Sequence, residues 1–414
     1  MGIYLNPGAA MLRRARASQV YVDKSGLLKY LNSVVNTEQE FVCVSRPRRF
    51  GKTMAANMVC AYYDRTVDGA SEFEGLEIAG DPDFDSLRNS FDVLHLNMQQ
   101  FLSATHDAEK LVDMLSRVVS RELVRAYPGL DIATDMGLPM AMADCYAQTG
   151  TQFVVVIDEW DCLMREKQGH PDEQKTYLDF LRAWLKDQPA VALCYMTGIL
   201  PIKKYGSHSA LNMFNEFSML GAEELAPYVG FTEDEVAGLC ARFDVNLTDC
   251  RAWYDGYRVA GVRGGEVETF CPRSVVRSVE TGNFRSYWNE TETFEALKRY
   301  IDLDLDGLHE KVVRLVAGGR VMVNTETYVN DMTTLNTSDD VLTLLVHLGY
   351  LTYDAASREV YVPNREVMGA FASSTSLGGG WGEVSRSIAE SERLLDALVA
   401  GDAEAVAAGV ERAH

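Results

Sequence analysis

The stretch Phe41-Val42-Cys43-Val44-Ser45-Arg46-Pro47-Arg48-Arg49-Phe50-Gly51-Lys52-Thr53 decides how this chain is read. It begins as a short apolar run, and residues 54–63 behind it have helical periodicity. A strand, a turn and a helix in that order form the context of a phosphate-binding loop. Backbone N–H groups at a helix N-terminus face an anion, and the helix dipole favours its charge. In such a loop Lys52 would reach the outer phosphates and the Thr53 hydroxyl would ligate Mg²⁺. The match to G-x-x-x-x-G-K-[ST] is incomplete, because Arg46 stands at the first glycine position. A side chain there disfavours positive φ, so the loop takes a different path or begins later. Arg46, Arg48 and Arg49 add charge where a phosphate chain would lie. Arg48 or Arg49 either touches the phosphates or faces a partner.

Further apolar runs at 92–98, Phe153–Asp158 and 191–197 suit strands buried on both faces of a parallel sheet. A fifth strand is expected over 216–220. Segments of helical period at 106–127 and 173–187 alternate with them, which argues an open α/β sheet. The third run ends in Asp158-Glu159. Both acids would emerge at the carboxyl edge of the sheet, where ligands of open α/β sheets bind. There Asp158 would hold Mg²⁺ and Glu159 would polarise the attacking water. Asp161 either steadies these acids or caps the following helix. Thr197, at the end of the fourth run, is a candidate sensor of the outer phosphate if that strand lies between the other two. It is otherwise a threonine before a glycine turn.

Past residue 225 the pattern changes. Thr232 followed by Glu235 marks a capping box that opens a helix. Residues 225–300 read as helices and turns, and 338–366 as a helix followed by a small hairpin, the order of a winged-helix module. Residues 373–382 read as a linker and 383–412 as a helical hairpin.

The 414 residues carry a formal charge of −21, with 47% hydrophobic and 24% charged residues. That is ample apolar material for packed cores, and an acidic surface disfavours broad binding to nucleic acid or membrane. No apolar run approaches the length of a bilayer span. None of the eight cysteines lies in a Cys-x-x-Cys pair, so buried free thiols in a reducing cytoplasm are expected.

The ordered series of motifs resembles the bacterial and archaeal predicted AAA-ATPase (AAA-ATPase-like) family. It comprises Tyr21-Val22-Asp23-Lys24-Ser25, Arg46 to Thr53, Phe73-Glu74-Gly75-Leu76-Glu77-Ile78 and Ile157-Asp158-Glu159-Trp160-Asp161. Thr197-Gly198-Ile199-Leu200, Trp253-Tyr254-Asp255-Gly256-Tyr257, Gly349-Tyr350-Leu351-Thr352 and Pro363-Asn364 complete it. The family itself replaces the first loop glycine, which accounts for Arg46. The resemblance implies an α/β P-loop NTPase core of the additional-strand type over 1–224 and a helical lid over 225–300. A winged-helix-like region follows over 301–370, and 371–414 would lead into a further domain. It implies ATP and Mg²⁺ as ligands. Arg46, Pro47, Arg48, Arg49, Phe50, Gly51, Lys52, Thr53 and Met54 are the expected nucleotide contacts, with Glu159, Lys52 and Thr197 catalytic and Thr53 and Asp158 on the metal. Tyr21 and Asp23 lie near where an adenine would sit; Tyr21 stacks on the base or packs into the core. Partners beyond ATP are an unidentified protein or a second copy. Family members often carry a nuclease domain, but no late Asp…Glu-x-Lys set is present, so no nuclease activity is expected. Departures from the family pattern are Trp160 for Tyr, Phe270-Cys271-Pro272-Arg273-Ser274 for Tyr-Asn-Pro-Trp-Ser, and His208-Ser209-Ala210-Leu211-Asn212 for Phe-Ser-Gly-Leu-Asn.

Overall fold

The computed structural model describes residues 2–202, 211–288 and 299–376, apart from 304, 330, 331, 333 and 334, with five single positions further on. The expected runs pair as one parallel sheet: β1 (Phe41–Ser45), β2 (Asp92–Asn97), β3 (Phe153–Asp158), β4 (Val191–Gly198) and β5 (Asn215–Phe217). Their spatial order is β2-β3-β4-β1-β5. The strand inserted between the loop-bearing β1 and the acid-bearing β3 is therefore β4. Every residue of β1, β3 and β4 is buried, which explains the unbroken apolar runs: both faces are covered by helices. The expected bounds shift slightly. Met98 leaves β2 to open the helix Met98–Thr105, because Asn97 accepts from the Gln100 N–H as its N-cap. The long helix is Ala108–Ala126, started by Asp107, and the one before β4 is Pro171–Leu185. The helix Leu138–Thr149 has no counterpart in the sequence reading.

The lid region is not purely helical. Helices Glu233–Phe243, Leu247–Tyr254 and Pro272–Thr281 accompany an antiparallel sheet, β6 (Phe231–Thr232), β7 (Tyr257–Ala260) and β8 (Glu266–Phe270), in the order β6-β8-β7. The capping box at Thr232 and Glu235 is present. The β7–β8 hairpin escaped the sequence reading because Glu266 and Glu268 interrupt its apolar pattern. Beyond it come the helix Leu308–Val316, β9 (Val321–Met322), the helix Ser338–Leu348, β10 (Thr352–Asp354), β11 (Glu359–Tyr361) and the helix Arg365–Ser376. The expected hairpin is β10–β11, joined by β9 into a three-stranded sheet. Positions 373–376, read as linker, belong to the last helix. The expected helical hairpin at 383–412 falls almost wholly outside the described residues.

Two hydrophobic clusters hold the chain, and they do not follow the expected domain boundaries. The larger runs from the parallel sheet into Leu308, Val312, Val341, Leu345 and Phe371, so the region after 301 shares the core's interior. The smaller is the lid's own: Phe231, Val236, Leu239, Tyr254, Val275 and Tyr287, together with Val20 from the N-terminal segment. All eight cysteines are buried and free, as expected. Among the described residues no helix is long and apolar enough to cross a membrane.

Candidate nucleotide site

β1 ends at Ser45 and the helix Lys52–Tyr63 begins seven residues later. Gly51 turns the chain into that helix with φ of 91°. A Cβ there would touch nothing within 4 Å, so glycine is required by backbone conformation and not by space. The helix has no side-chain cap, which leaves its first-turn N–H groups to the adjoining cleft. Lys52 is buried and folds back on its own loop, donating to the carbonyls of Arg46 (3.0 Å) and Pro47 (2.9 Å). An ammonium has three N–H donors, so one remains for an incoming oxygen. Burial lowers the pKa of Lys52, and Glu159, Asp161 and Asp158 only partly offset this. An anion in the cleft would complete the compensation.

The acids meet this lysine as the strand order requires. The Thr53 hydroxyl donates to Asp158 Oδ2 at 2.7 Å, across 105 positions of sequence. Asn97, at the end of β2, lies 3.5 Å from the same oxygen. Burial raises the pKa of Asp158, opposed by Thr53 and Lys52; burial also raises that of Glu159, opposed by Arg165 and Lys52. Glu159 sits at φ 55°, a left-handed conformation that a non-glycine residue holds only under constraint from its surroundings. Thr197 pairs with Asp158 in the β3–β4 register and with Val44 in β1. Its hydroxyl is buried and has no hydrogen-bond partner among the described residues. Hydroxyl and carboxylate oxygens at Thr53 and Asp158 are the donor type that Mg²⁺ takes, so the residues fit that ion.

The cleft beside these groups measures about 540 Å³, within the range of small-molecule sites. It is lined by Gly51, Lys52, Thr53, Met54 and Glu159 and by the more apolar Val20, Tyr21, Val22, Phe231, Pro272 and Val276. Tyr21 therefore stands on the cleft wall, where burial and then Asp23 push its hydroxyl up to about 12. Lys24, from the same motif as Tyr21, and Arg273, given no site role in the sequence reading, also line it. Lys24 bonds Glu235 of the lid at 2.5 Å and the Pro227 carbonyl at 2.7 Å.

Three expectations need correction. Arg46 does not point at the cleft: its side chain is fully buried and its Nη1 donates to the carbonyls of Ser45 and Phe217 at 2.9 Å each. Asp23 does not line the cleft either. Its carboxylate accepts the Ser25 N–H at 2.8 Å and the Glu77 N–H at 2.6 Å, tying one motif to another. Asp161 stands at the start of the helix Cys162–Glu166 but makes no cap bond. Its Oδ2 instead accepts the N–H groups of Ile199 (3.1 Å) and Leu200 (2.8 Å) and Arg165 Nε (3.1 Å). Gly198 is glycine because a Cβ would come within 2.7 Å of the Trp160 ring and 2.8 Å of Asp161 Oδ1.

Of the remaining loop residues Arg48, Arg49 and Phe50 line the cleft, while Pro47 does not. Pro47 fills the space above Gly349, where a Cβ would lie 2.7 Å from it. Arg49 donates to the Tyr287 carbonyl. Phe50, though it borders the cleft, is 1% exposed and packs edge-on against Tyr257, centroids 5.2 Å apart. The Tyr257 hydroxyl in turn donates to the Gly349 carbonyl at 2.9 Å.

A parallel sheet with a strand inserted between the loop strand and the acid strand, a glycine-lysine-threonine helix start and an acid pair beside it define a P-loop nucleotide-binding ATPase in general terms. Residues 12–207 match the model of the family described as Predicted AAA-ATPase. No curated protein matches the chain significantly. Two solved structures resemble it in part. The Walker-type ATPase of Pyrococcus abyssi shares 12% identity over 84% of this chain and 94% of its own, with a TM-score of 0.42. Cdc6p from Pyrobaculum aerophilum shares 11% over 89% and 97%, with a TM-score of 0.29.

Proposed function

We propose that the chain binds ATP with Mg²⁺ in this cleft, hydrolyses it, and uses the change in occupancy to shift its C-terminal half. The observation that carries the reading is the convergence of Lys52, Thr53, Asp158 and Glu159 beside a cleft, residues that follow or end β1 and β3 on either side of β4. Mg²⁺, held by Thr53 and Asp158, would supply neutralising charge to the phosphates. Lys52 and the first-turn N–H groups bind the outer phosphates, and the dry surroundings strengthen that attraction. Glu159 takes a proton from the attacking water, and Thr197 offers its spare hydroxyl near the same edge. Tyr21, with Val22 and Phe231, forms an apolar wall on which a purine can stack.

The switch follows from the loop's other side. Pro47, Arg49 and Phe50 are fixed to Gly349, Tyr287 and Tyr257, so a loop displaced by a phosphate pushes on the lid and the region after 301. In this reading the region over 301–370 is a winged-helix-like module that docks an unidentified protein or a second copy. Its acidic setting does not favour DNA. The eight buried thiols support a reducing cytoplasm. A second reading, a nucleotide-bound scaffold without turnover, is favoured by the engagement of Glu159 with Arg165.

Steady-state phosphate release with wild type and E159Q separates the two. Hydrolysis predicts release from wild type, a fall of about 100-fold or more in E159Q, in the range of general acid–base catalysis, and unchanged analogue binding in both. Equal rates in wild type and E159Q would remove Glu159 as the base; binding with no release from wild type supports the scaffold.

A further inference from the structure

We infer that Arg165 is a positioning residue that holds Glu159 in a resting orientation, and that turnover requires this contact to open. The inference rests on the hydrolytic reading above. Arg165 Nη2 donates to Glu159 Oε2 in a largely buried ion pair, the arginine side chain 10% exposed. A carboxylate oxygen that already accepts from a guanidinium in a charge-assisted bond is held in place and is not free to turn to a water. Lys52, Asp158 and Asp161 also stand near Glu159. The catalytic lysine has a reason to be there, since it is placed for phosphate. Arg165 has none at the phosphate end: it does not line the nucleotide cleft.

The guanidinium also has somewhere to go. Its Nε is bonded to Asp161 Oδ2 at 3.1 Å, one helical turn away. That second anchor remains when Nη2 leaves Glu159, so release does not strand a buried charge. Burial pulls the Arg165 pKa down, but Asp161 and Glu159 outweigh it here, and a guanidinium keeps its charge with or without such a partner. On its far side Arg165 lines a separate cavity of about 240 Å³, with Arg48 of the loop and with Arg299, Tyr300 and Tyr350 of the C-terminal half. The arginine thus has two arrangements: bridging Glu159 and Asp161, or held by Asp161 alone with its tip in that cavity. A shift of the C-terminal half reshapes the cavity and so biases the choice between them.

The test measures phosphate release and nucleotide-analogue binding for wild type, R165Q, R165K and E159Q. Opening the contact predicts that R165Q raises kcat at least fivefold with KM within threefold. R165K, which keeps the charge but can span only one carboxylate at a time, falls between wild type and R165Q. A kcat in R165Q at or below wild type, with analogue binding intact, overturns the inference while leaving the ATPase reading standing. If R165Q does not fold, R165K decides: a rate no higher than wild type overturns it. Loss of analogue binding in wild type sinks the ATPase reading and this inference together, and release that persists in E159Q at the wild-type rate sinks the base assignment first.

Discussion

The two halves of one octapeptide behave differently. Gly51-Lys52-Thr53 turns inward to the cleft and the acids of β3, while Arg46, Pro47 and Phe50 pack into the body of the protein and Arg49 spans the two, lining the cleft and reaching the Tyr287 carbonyl. The inner half is open and electrostatically incomplete: Lys52 has an unused donor and a penalised charge. The outer half is closed, with Phe50 on Tyr257, Pro47 against Gly349 and Arg46 sealed in the interior. A loop built this way reads a ligand with one face and reports it through the other. Changes on the outer face are therefore expected to move stability, and changes on the inner face to move binding.

The largest outer effect is expected from F50A. Deleting a fully buried phenyl ring destabilises by about 3–5 kcal/mol, which urea unfolding would register. A loss below about 1 kcal/mol would show that the outer contact is dispensable. Next comes His347, buried on the helix Ser338–Leu348, stacked on Tyr328 with centroids 5.8 Å apart. Burial, with Arg46 adding to it, holds its imidazole down to about 3. The folded His347 stays neutral where the unfolded one, with a pKa near 6.5, takes a proton. Its contribution is therefore complete above about pH 6.5 and is lost as pH falls towards 3. At pH 5 that amounts to about 2 kcal/mol, so H347L should lose less stability than wild type between pH 7.5 and pH 5. Identical losses would mean that His347 is protonated in the fold.

Y257F is expected to cost about 1–2 kcal/mol, because it strands the buried Gly349 carbonyl. The smallest effect is R46M. A buried arginine whose Nε and Nη2 have no partner among the described residues gains little from its charge, and burial lowers its pKa to about 10. Replacement by an apolar chain of similar length removes a penalised buried charge but strands the Ser45 and Phe217 carbonyls, so the two should nearly offset, with stability within about 1 kcal/mol of wild type and nucleotide affinity unchanged. A drop in affinity would blur the division between the faces.

Much of the inner half was legible. A strand, Gly-Lys-Thr, a helix and a strand ending in two acids specify their geometry locally, and the buried parallel sheet fixes the rest. The outer half was not. Nothing in the string Arg46 to Phe50 says which arginine goes inside, because that depends on β5 and the helix Ser338–Leu348, both distant in sequence. Asp161 misled for a related reason: its position is that of a cap, yet its partners Ile199 and Leu200 lie 38 and 39 residues away. Arg165 could have been found, since it stands four residues from Asp161 on a helix. Asp23 could not, because its partner Glu77 lies 54 residues on.

The most direct measurement is calorimetric titration of an ATP analogue with Mg²⁺ into wild type, K52A and R46M. One analogue bound per chain in wild type and R46M, with binding lost in K52A, is the predicted result. Affinity that survives in K52A would contradict the assignment of the cleft as a triphosphate site.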